Sequence, residues 1–243
     1  MTTPADSTGT VKVSMNADIA VVTLCRERKK NALSTLMESK LLQTLHSPQV
    51  RNSRVVVLTG GDVVFSAGAD TTELREMTPH AIADYYQSSG KVYETLASLP
   101  QPTISAITGY CLGGGLELAL ATDIRVADPA AEFGFPEIGI GILPSSGGLT
   151  RAVRTVGTGR ARDLILRGRR FNHLLAEQWG IVTETAAPGE HLELALDIAQ
   201  EIAQYSPLAL SITKQVLDVS TDAPHHAALL LEQLAYSTLN NTQ

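Results

Sequence analysis

The sequence predicts an α/β protein in which a mostly parallel sheet is followed by a helical subdomain. Short β-branched runs, typical of buried strands, recur between helical patterns at residues 54–59, 103–108 and 124–127. Glycine-bearing loops at 65–70 and 109–115 follow two of these runs. Because ligands of parallel sheets bind beyond the carboxyl ends of the strands, we expect both loops at one ligand-binding edge.

The N-terminal part of this pattern is a predicted pair of strands followed by a basic loop. Residues 11–24 alternate and then become uniformly apolar, and residues 16–18 form a plausible turn between two strands. A basic cluster follows, made of Arg26, Arg28, Lys29 and Lys30. The cluster is interpreted either as a solvated loop or as a clamp for phosphates.

Two helices are predicted on either side of the first buried run. Helix 35–46 begins with Thr35 and Glu38 at the spacing of a capping box. Helix 79–99 begins with a proline at its first position and ends before Pro100 and Pro102. Residues 71–99, which include Met77, Tyr85 and Tyr86, are predicted to shape a ligand pocket.

The glycine run Gly113–Gly115 leads directly into a predicted helix at 115–121, and two glutamates lie close to it in sequence. Glycine permits close approach of the backbone, and the first N–H groups of a helix have no partner within it. No capping side chain precedes Leu116, so these donors are available to an anion or an oxyanion. Glu117 lies in the first helical turn, and Glu137 follows an apolar run whose burial is expected to raise its pKa.

The last third of the chain is predicted to be helical, with breaks at glycine and proline. The predicted helices are 147–156, 158–167, 173–179, 190–204, 207–219 and 224–238. We expect a disordered tail over residues 1–10, a core over 11–189 and a C-terminal helical region over 190–243. The apolar faces of that last region either cover the protein's own core or pack between subunits.

Composition excludes several classes of function. A net charge of −6 gives no basic field for nucleic acid, and no apolar run has membrane-spanning length. The first ten residues lack a signal-peptide pattern. Cys25 and Cys111 have neither metal nor redox spacing, so both are interpreted as buried thiols in a reducing, cytoplasmic location. No metal site is expected from the scattered histidines.

Several separated motifs together resemble the enoyl-CoA hydratase/isomerase (crotonase) superfamily. The motifs are FSAGADTTEL, GYCLGGGLELAL and FGFPEIGIGILPSSGG, flanked by RERKKNAL at 26–33 and AEQWGIV at 176–182. The resemblance covers about residues 11 to 240. It implies a crotonase-like (ClpP/crotonase) α/β fold with a repeated β-β-α core and a C-terminal helical subdomain. It also implies a homotrimer or hexamer.

The resemblance also implies the residues of an active site. The amides of Ala69 and Gly114 would form an oxyanion hole, and Glu117 and Glu137 match the two glutamates of hydratases. The substrate contacts implied for an acyl-CoA thioester are Arg28, Lys29, Ala67, Asp70, Thr71, Thr72 and Gly113. No separate cofactor is expected, because coenzyme A is part of the substrate. Thr72 stands where many hydratases have a lysine, and Ser145 stands where the family has a glycine.

The expected function is hydration of a trans-2-enoyl-CoA to a 3-hydroxyacyl-CoA. Either Glu117 acts as the base and Glu137 as the acid, or the two carboxyls share a water-mediated proton network. One alternative is an enoyl-CoA isomerase that uses Glu137 alone, and another is a non-catalytic acyl-CoA binder. A serine hydrolase using Ser145 or Ser146 is disfavoured, because the sequence lacks a Gly-x-Ser-x-Gly turn.

Overall fold

The computed structural model describes residues 9–240, except for the side chains of residues 79, 83, 84 and 86–89. Residues 1–8 of the predicted tail therefore lie outside the described part, as does the side chain of Tyr86. The prediction of disorder is wrong for residues 9 and 10. The carbonyl of Gly9 accepts a hydrogen bond from Lys40 Nζ at 2.7 Å, and Thr10 opens the first strand.

Strands and helices alternate through the first two thirds of the chain. The strands are β1 (Thr10–Asn16), β2 (Ile19–Cys25), β3 (Val55–Thr59), β4 (Thr103–Ile107), β5 (Tyr110–Leu112), β6 (Ile124–Ala127), β7 (Glu132–Gly134), β8 (Arg170–Asn172) and β9 (Glu184–Thr185). The helices are α1 (Thr35–Leu45), α2 (Pro48–Arg51), α3 (Thr71–Glu76), α4 (Pro79–Ala97), α5 (Gly114–Leu120), α6 (Gly148–Leu166), α7 (His173–Gln178), α8 (His191–Ile202), α9 (Pro207–Ser220) and α10 (His225–Asn240).

The main sheet has the order β1-β2-β3-β4-β6-β9. Only the β1–β2 hairpin is antiparallel within this described sheet, and the remaining pairs are parallel. Alternate side chains of β3 enter two cores: Val56 and Leu58 face the core that includes α1, α4 and α5, whereas Val55 and Val57 face α8. The predicted parallel α/β arrangement is confirmed.

A second, small sheet of order β5-β7-β8 was missing from the sequence prediction. Its strands are three residues each, which is too short to show a period of two. This sheet fixes the start of the glycine run, because the N–H of Gly113 donates to the carbonyl of Gly134 at 2.9 Å. The chain after Ser146 is consequently not all helical, since β8 and β9 both lie there.

Two further expectations about helices need correction. Ser34, not Thr35, caps α1 by accepting the N–H of Met37, and Glu38 is buried instead of completing a capping box. α8 packs Ala195 and Ala199 into the second core, so this part of the predicted assembly region covers the protein's own sheet. The predicted break at Gly157 is confirmed by its positive φ of 78° within α6.

Within residues 9–240, no helix combines the length and the apolar character needed to cross a bilayer.

Candidate active site

The two glycine-bearing loops pack directly against each other at the carboxyl edge of the main sheet. A Cβ on Gly115 would lie 2.6 Å from the carbonyl oxygen of Ser66, and one on Gly68 would lie 2.7 Å from that of Leu112. Such distances are shorter than any non-bonded contact of a real Cβ, so only glycine permits this approach. The predicted convergence of residues 65–70 and 109–115 is therefore confirmed.

The backbone amides of Ala69 and Gly114 come together at this contact. The Cβ position of Gly114 lies 3.6 Å from the nitrogen of Ala69. The N–H of Leu33 donates to the carbonyl of Gly68, and the carbonyl of Leu33 accepts the N–H of Asp70. The N–H of the intervening Ala69 therefore faces away from Leu33. Among the described residues, no hydrogen bond engages the N–H of Ala69 or of Gly114. Two adjacent donors are thus available to one oxygen atom.

Asn31 holds the first of these loops in place. Its side-chain amide donates to the carbonyls of Gly60, Val64 and Phe65, and its side-chain oxygen accepts the N–H of Arg26. A residue that ends the basic cluster in sequence therefore fixes the approach to the FSAGAD loop. The sequence analysis did not single it out, although its positive φ of 51° fits an Asn in a tight turn.

Glu117 is buried in the first turn of α5 and is held by the start of α6. Its Oε1 accepts the N–H of Ser146 and the N–H of Gly148, each at 2.8 Å. Burial raises the pKa of this carboxyl, although the two backbone hydrogen bonds and the charge of Arg151 oppose the rise. Both described hydrogen bonds use Oε1, which leaves Oε2 for another partner.

Glu137 lies next to the glycine run, as its sequence context suggested. Its Oε1 lies 2.7 Å from the Cβ position of Gly113, and Phe133 and Phe135 nearby in sequence are buried. Burial, followed by the charge of Glu117, raises the pKa of Glu137 to about 7. Its Oε2 is buried and has no hydrogen-bond partner among the described residues. A carboxyl with this pKa can give or take a proton near neutral pH.

The basic cluster divides into a buried and an exposed part. Arg26 is buried and forms an ion pair with Asp70 at 2.7 Å, so the solvated-loop interpretation is wrong for this residue. Arg28 and Lys29 are exposed in a 3-10 turn, and the Nζ of Lys30 lies 4.6 Å from the centre of the Tyr110 ring. These last three cations are exposed to solvent, and their contact with a phosphate stays a prediction.

The remaining predicted substrate contacts lie on the segment that leads into α3. Asp70 caps α3 by accepting the N–H groups of Thr72 and Glu73. Burial acts to raise its pKa, but hydrogen bonds from Arg26 and the helix outweigh this and lower it. Ala67 donates its N–H to the carbonyl of Lys30, and Thr71 and Thr72 are exposed. Their contacts with a substrate stay predictions.

Sequence reasoning missed a third buried carboxyl near this site. Glu38 on α1 accepts hydrogen bonds from the hydroxyls of Tyr85 and Tyr93, each at 3.1 Å. Burial raises its pKa to about 7, and Glu117 and Glu73 contribute to the rise. The available signal was its helical position, because Glu38 shares a face with the buried Leu41 and Leu45.

The two cysteines, Cys25 and Cys111, are both free thiols. Cys111 is fully buried, and burial raises the pKa of its thiol well above the usual value, which disfavours the nucleophilic thiolate. Cys25 is only partly buried, which corrects the prediction for that residue. In the described part of the chain, no three His, Cys, Asp or Glu side chains are grouped so that they could hold a metal ion.

Known proteins are similar to this chain along almost its whole length. The family model for enoyl-CoA hydratase/isomerase matches residues 14–243. The "Probable enoyl-CoA hydratase 2, mitochondrial" of Arabidopsis thaliana is 37% identical over 230 residues, which is 94% of this chain and 76% of that protein. The 2,3-dehydroadipyl-CoA hydratase of Escherichia coli (strain K12) is 35% identical over 232 residues, covering 95% of this chain and 90% of that protein.

A solved structure is similar to this chain in both fold and sequence. The crystal structure of an enoyl-CoA hydratase from Bacillus anthracis superposes with a TM-score of 0.91 and 34% sequence identity, covering 96% of this chain and 92% of that chain. The predicted crotonase-like fold is therefore confirmed. The matching motifs, the fold and the similarity along almost the entire length together show that this chain belongs to the enoyl-CoA hydratase/isomerase family.

Proposed function

We propose that this protein is an enoyl-CoA hydratase, which adds water across the 2,3 double bond of a trans-2-enoyl-CoA to give a 3-hydroxyacyl-CoA. The observation that carries the proposal is the pair of buried carboxyls, Glu117 and Glu137, that both adjoin the Gly113–Gly114 turn. Hydration needs one group to deprotonate water and another to deliver a proton, and two carboxyls of different environment meet that need.

The reaction would begin with the thioester carbonyl between the amides of Ala69 and Gly114. Water attacks C3, and negative charge develops on the thioester oxygen. Two N–H groups fixed in a water-poor site stabilise that charge, and each is typically worth about 2.7–4 kcal/mol of barrier. Little reorganisation is needed, because backbone hydrogen bonds with Leu33 hold the first loop and one from Gly113 to Gly134 holds the second.

The two glutamates would then divide the proton transfers. Glu117, fixed through Oε1, would hold and deprotonate the water with its second oxygen. The protonated carboxyl of Glu137 would supply the proton to C2, which its pKa of about 7 permits. The oxygen of water forms a bond to C3 as the 2,3 double bond breaks, and the proton of Glu137 goes to C2. The addition leaves Glu117 protonated and Glu137 ionised, so a proton must then pass from Glu117 to Glu137, directly or through solvent, before the next turnover.

One observation favours isomerisation as a second candidate. The partner-less Oε2 of Glu137 could both remove and return a proton on one face of an enoyl chain, with Glu117 as a spectator. The enoyl-CoA hydratase/isomerase family is named for both activities. The isomerase would act on a 3-enoyl-CoA, whereas the hydratase would act on a 2-enoyl-CoA.

A spectrophotometric assay of the purified protein tests both candidates. The protein is given a ladder of trans-2-enoyl-CoA chain lengths, and loss of the conjugated double bond is followed. Parallel reactions with 3-enoyl-CoA would gain conjugation if isomerisation dominates. Turnover of neither substrate, with acyl-CoA binding retained, would instead support a non-catalytic binder.

We also infer a cytoplasmic location and an assembly into trimers or hexamers. The location rests on two free cysteines, and the assembly on exposed apolar side chains of α9 and α10 that include Leu217, Leu230 and Leu234.

A further inference from the structure

A hydrogen-bonded group of three side chains, Glu38, Tyr85 and Tyr93, lies between the candidate site and a cavity. The hydroxyls of both tyrosines donate to Oε1 of Glu38 at 3.1 Å. The hydroxyl of Tyr93 also lies 3.0 Å from the Cβ position of Gly114. A single phenol therefore separates the Glu38 carboxyl from the proposed oxyanion hole.

The cavity on the other side has a volume of about 340 Å³ and lies between α1 and α4. Its described lining includes Thr35, Glu38, Ser39, Leu42, Tyr85 and Val92. Glu38 and Tyr85 thus belong both to the hydrogen-bonded group and to the cavity wall. An acyl chain leaving the oxyanion hole along Tyr93 would reach this wall.

Burial of the Glu38 carboxyl costs free energy of hydration, which only a hydrogen-bonding role can offset. Its neighbours on the same helical face, Leu41 and Leu45, are fully buried, and an apolar side chain there would pack without loss of hydration. No cation is paired with Glu38 among the described ion pairs, and burial holds its pKa near 7. A carboxyl in the cavity wall adds nothing to the binding free energy of a purely alkyl chain, which depends on buried apolar area.

We propose that this cavity takes the distal part of the acyl chain and that Glu38 and Tyr85 select a chain bearing a hydroxyl group over an unsubstituted alkyl chain. The proposal rests on the proposed function in taking an acyl-CoA as the ligand.

The chemistry of the wall decides which polar group fits. A hydroxyl can donate to an ionised Glu38 and accept from a protonated one or from a tyrosine, so it suits either charge state. A carboxylate on the chain would be repelled by Glu38, Glu73 and Glu117, which already interact electrostatically. Lys91 is the cation among the described residues that line the cavity. Its side chain is exposed and therefore well hydrated, so it offsets this repulsion only weakly.

Binding of saturated acyl-CoA thioesters tests this selectivity without any turnover. Calorimetry compares two ligands of equal chain length, one with a terminal hydroxyl and one without, over a series of chain lengths. The proteins are wild type, Glu38→Leu, Glu38→Gln and Tyr85→Phe, with Glu201→Leu and Glu201→Gln as matched controls at an exposed position on α8.

We expect wild type to bind the hydroxylated ligand about 10- to 100-fold more tightly at the matching length, since an unmet buried polar group costs that much. Glu38→Leu should reverse the preference, Glu38→Gln and Tyr85→Phe should reduce it, and the controls should keep it. Equal binding of both ligands by wild type, or an unchanged ratio in Tyr85→Phe, would overturn the proposal. Tyr85→Phe removes one oxygen only, so it decides the matter if Glu38→Leu fails to fold.

The outcome also separates this inference from the proposed function. Hydration of plain enoyl-CoA with no preference for the hydroxylated chain refutes the selectivity alone. Failure to bind any acyl-CoA refutes both.

Discussion

Glu137 and Gly113 are built against each other: Oε1 of the glutamate lies 2.7 Å from the point that a Cβ on the glycine would occupy. Gly113 also has a φ of +51°, which side-chain-bearing residues rarely adopt. A change in the backbone turn that positions the Gly114 amide would therefore also displace the Glu137 carboxyl, the group proposed to protonate C2.

Gly113→Ala should therefore reduce turnover strongly. The new methyl group must displace Glu137 or the turn, and a shift of about 1 Å in a reacting group typically costs about 10²-fold in rate. Gly159→Ala is the matched control, because a Cβ there meets nothing within 4 Å. Steady-state hydration assays and thermal melts of both variants measure the effect. A Gly113→Ala enzyme with wild-type turnover would contradict the arrangement.

Glu117→Gln and Glu137→Gln should each lower hydration by about 10²–10⁴-fold, the usual contribution of an acid or base group. Acyl-CoA binding should be largely retained, because neither carboxyl is expected to carry the binding of coenzyme A. The kcat of each variant and its Kd for a saturated acyl-CoA are the measurements. A kcat near that of wild type in either variant would show that this glutamate takes no part in catalysis. Activity that is lost in Glu137→Gln but kept in Glu117→Gln would point to isomerase chemistry.

Stability should fall as pH rises from about 4.5 to about 7. Burial raises the pKa of Glu38 and of Glu137 to about 7 from an ordinary value of 4.5. The folded state binds these protons more tightly, so the stability they contribute is full below the unfolded pKa and is lost as pH rises through the folded pKa. Each group should contribute on the order of 1–3 kcal/mol to this loss.

Urea unfolding of wild type, Glu38→Gln and Glu137→Gln at about pH 5 and about pH 8 measures this linkage. Each variant should lose less stability than wild type between the two pH values, whereas Glu201→Gln at an exposed position should behave like wild type. Equal losses in all four proteins would show that both carboxyls titrate normally.

Binding of coenzyme A should depend on the exposed cations of the 28–30 turn. The double variant Lys29→Ala, Lys30→Ala should weaken acyl-CoA binding by roughly 2- to 10-fold, the range of exposed charge pairs. The effect should shrink as salt is added, because exposed charges are screened over about 8–10 Å. Removing the exposed Lys12 and Arg51, which lie on β1 and α2, is the control. Unchanged affinity in the double variant would reject the clamp.

The last two helices should mediate assembly into trimers or hexamers. Leu230 and Leu234 of α10 are each 56% exposed. Leu174 is 60% exposed and is the one exposed large apolar side chain of the short described helix α7. The double variant Leu230→Glu, Leu234→Glu should dissociate the oligomer, as measured by light scattering, and Leu174→Glu should leave it intact. A wild-type protein that stays monomeric across a wide dilution range would overturn this prediction.

Much of the site could be predicted from local sequence, because glycine-bearing loops and the ends of strands can be recognised from a few neighbouring residues. The convergence of 65–70 with 109–115 follows from two parallel strands that end at the same edge. The raised pKa of Glu137 followed from its apolar neighbours in sequence. By contrast, the strands β5, β7 and β8 escaped prediction, because three residues cannot display a period.

The sequence alone determined the main parallel strands and the long helices between them, the two glycine-bearing loops and the two glutamates near the second loop, because each depends on a residue and its immediate neighbours. Only the tertiary structure decided what those groups touch. Ser146 and Gly148 bond to Glu117 from 29 and 31 residues away, and Tyr93 reaches Glu38 across 55 residues. The partners that shift a carboxyl's pKa come from such distant elements, so the helical position of Glu38 could indicate its burial but not its two tyrosine partners.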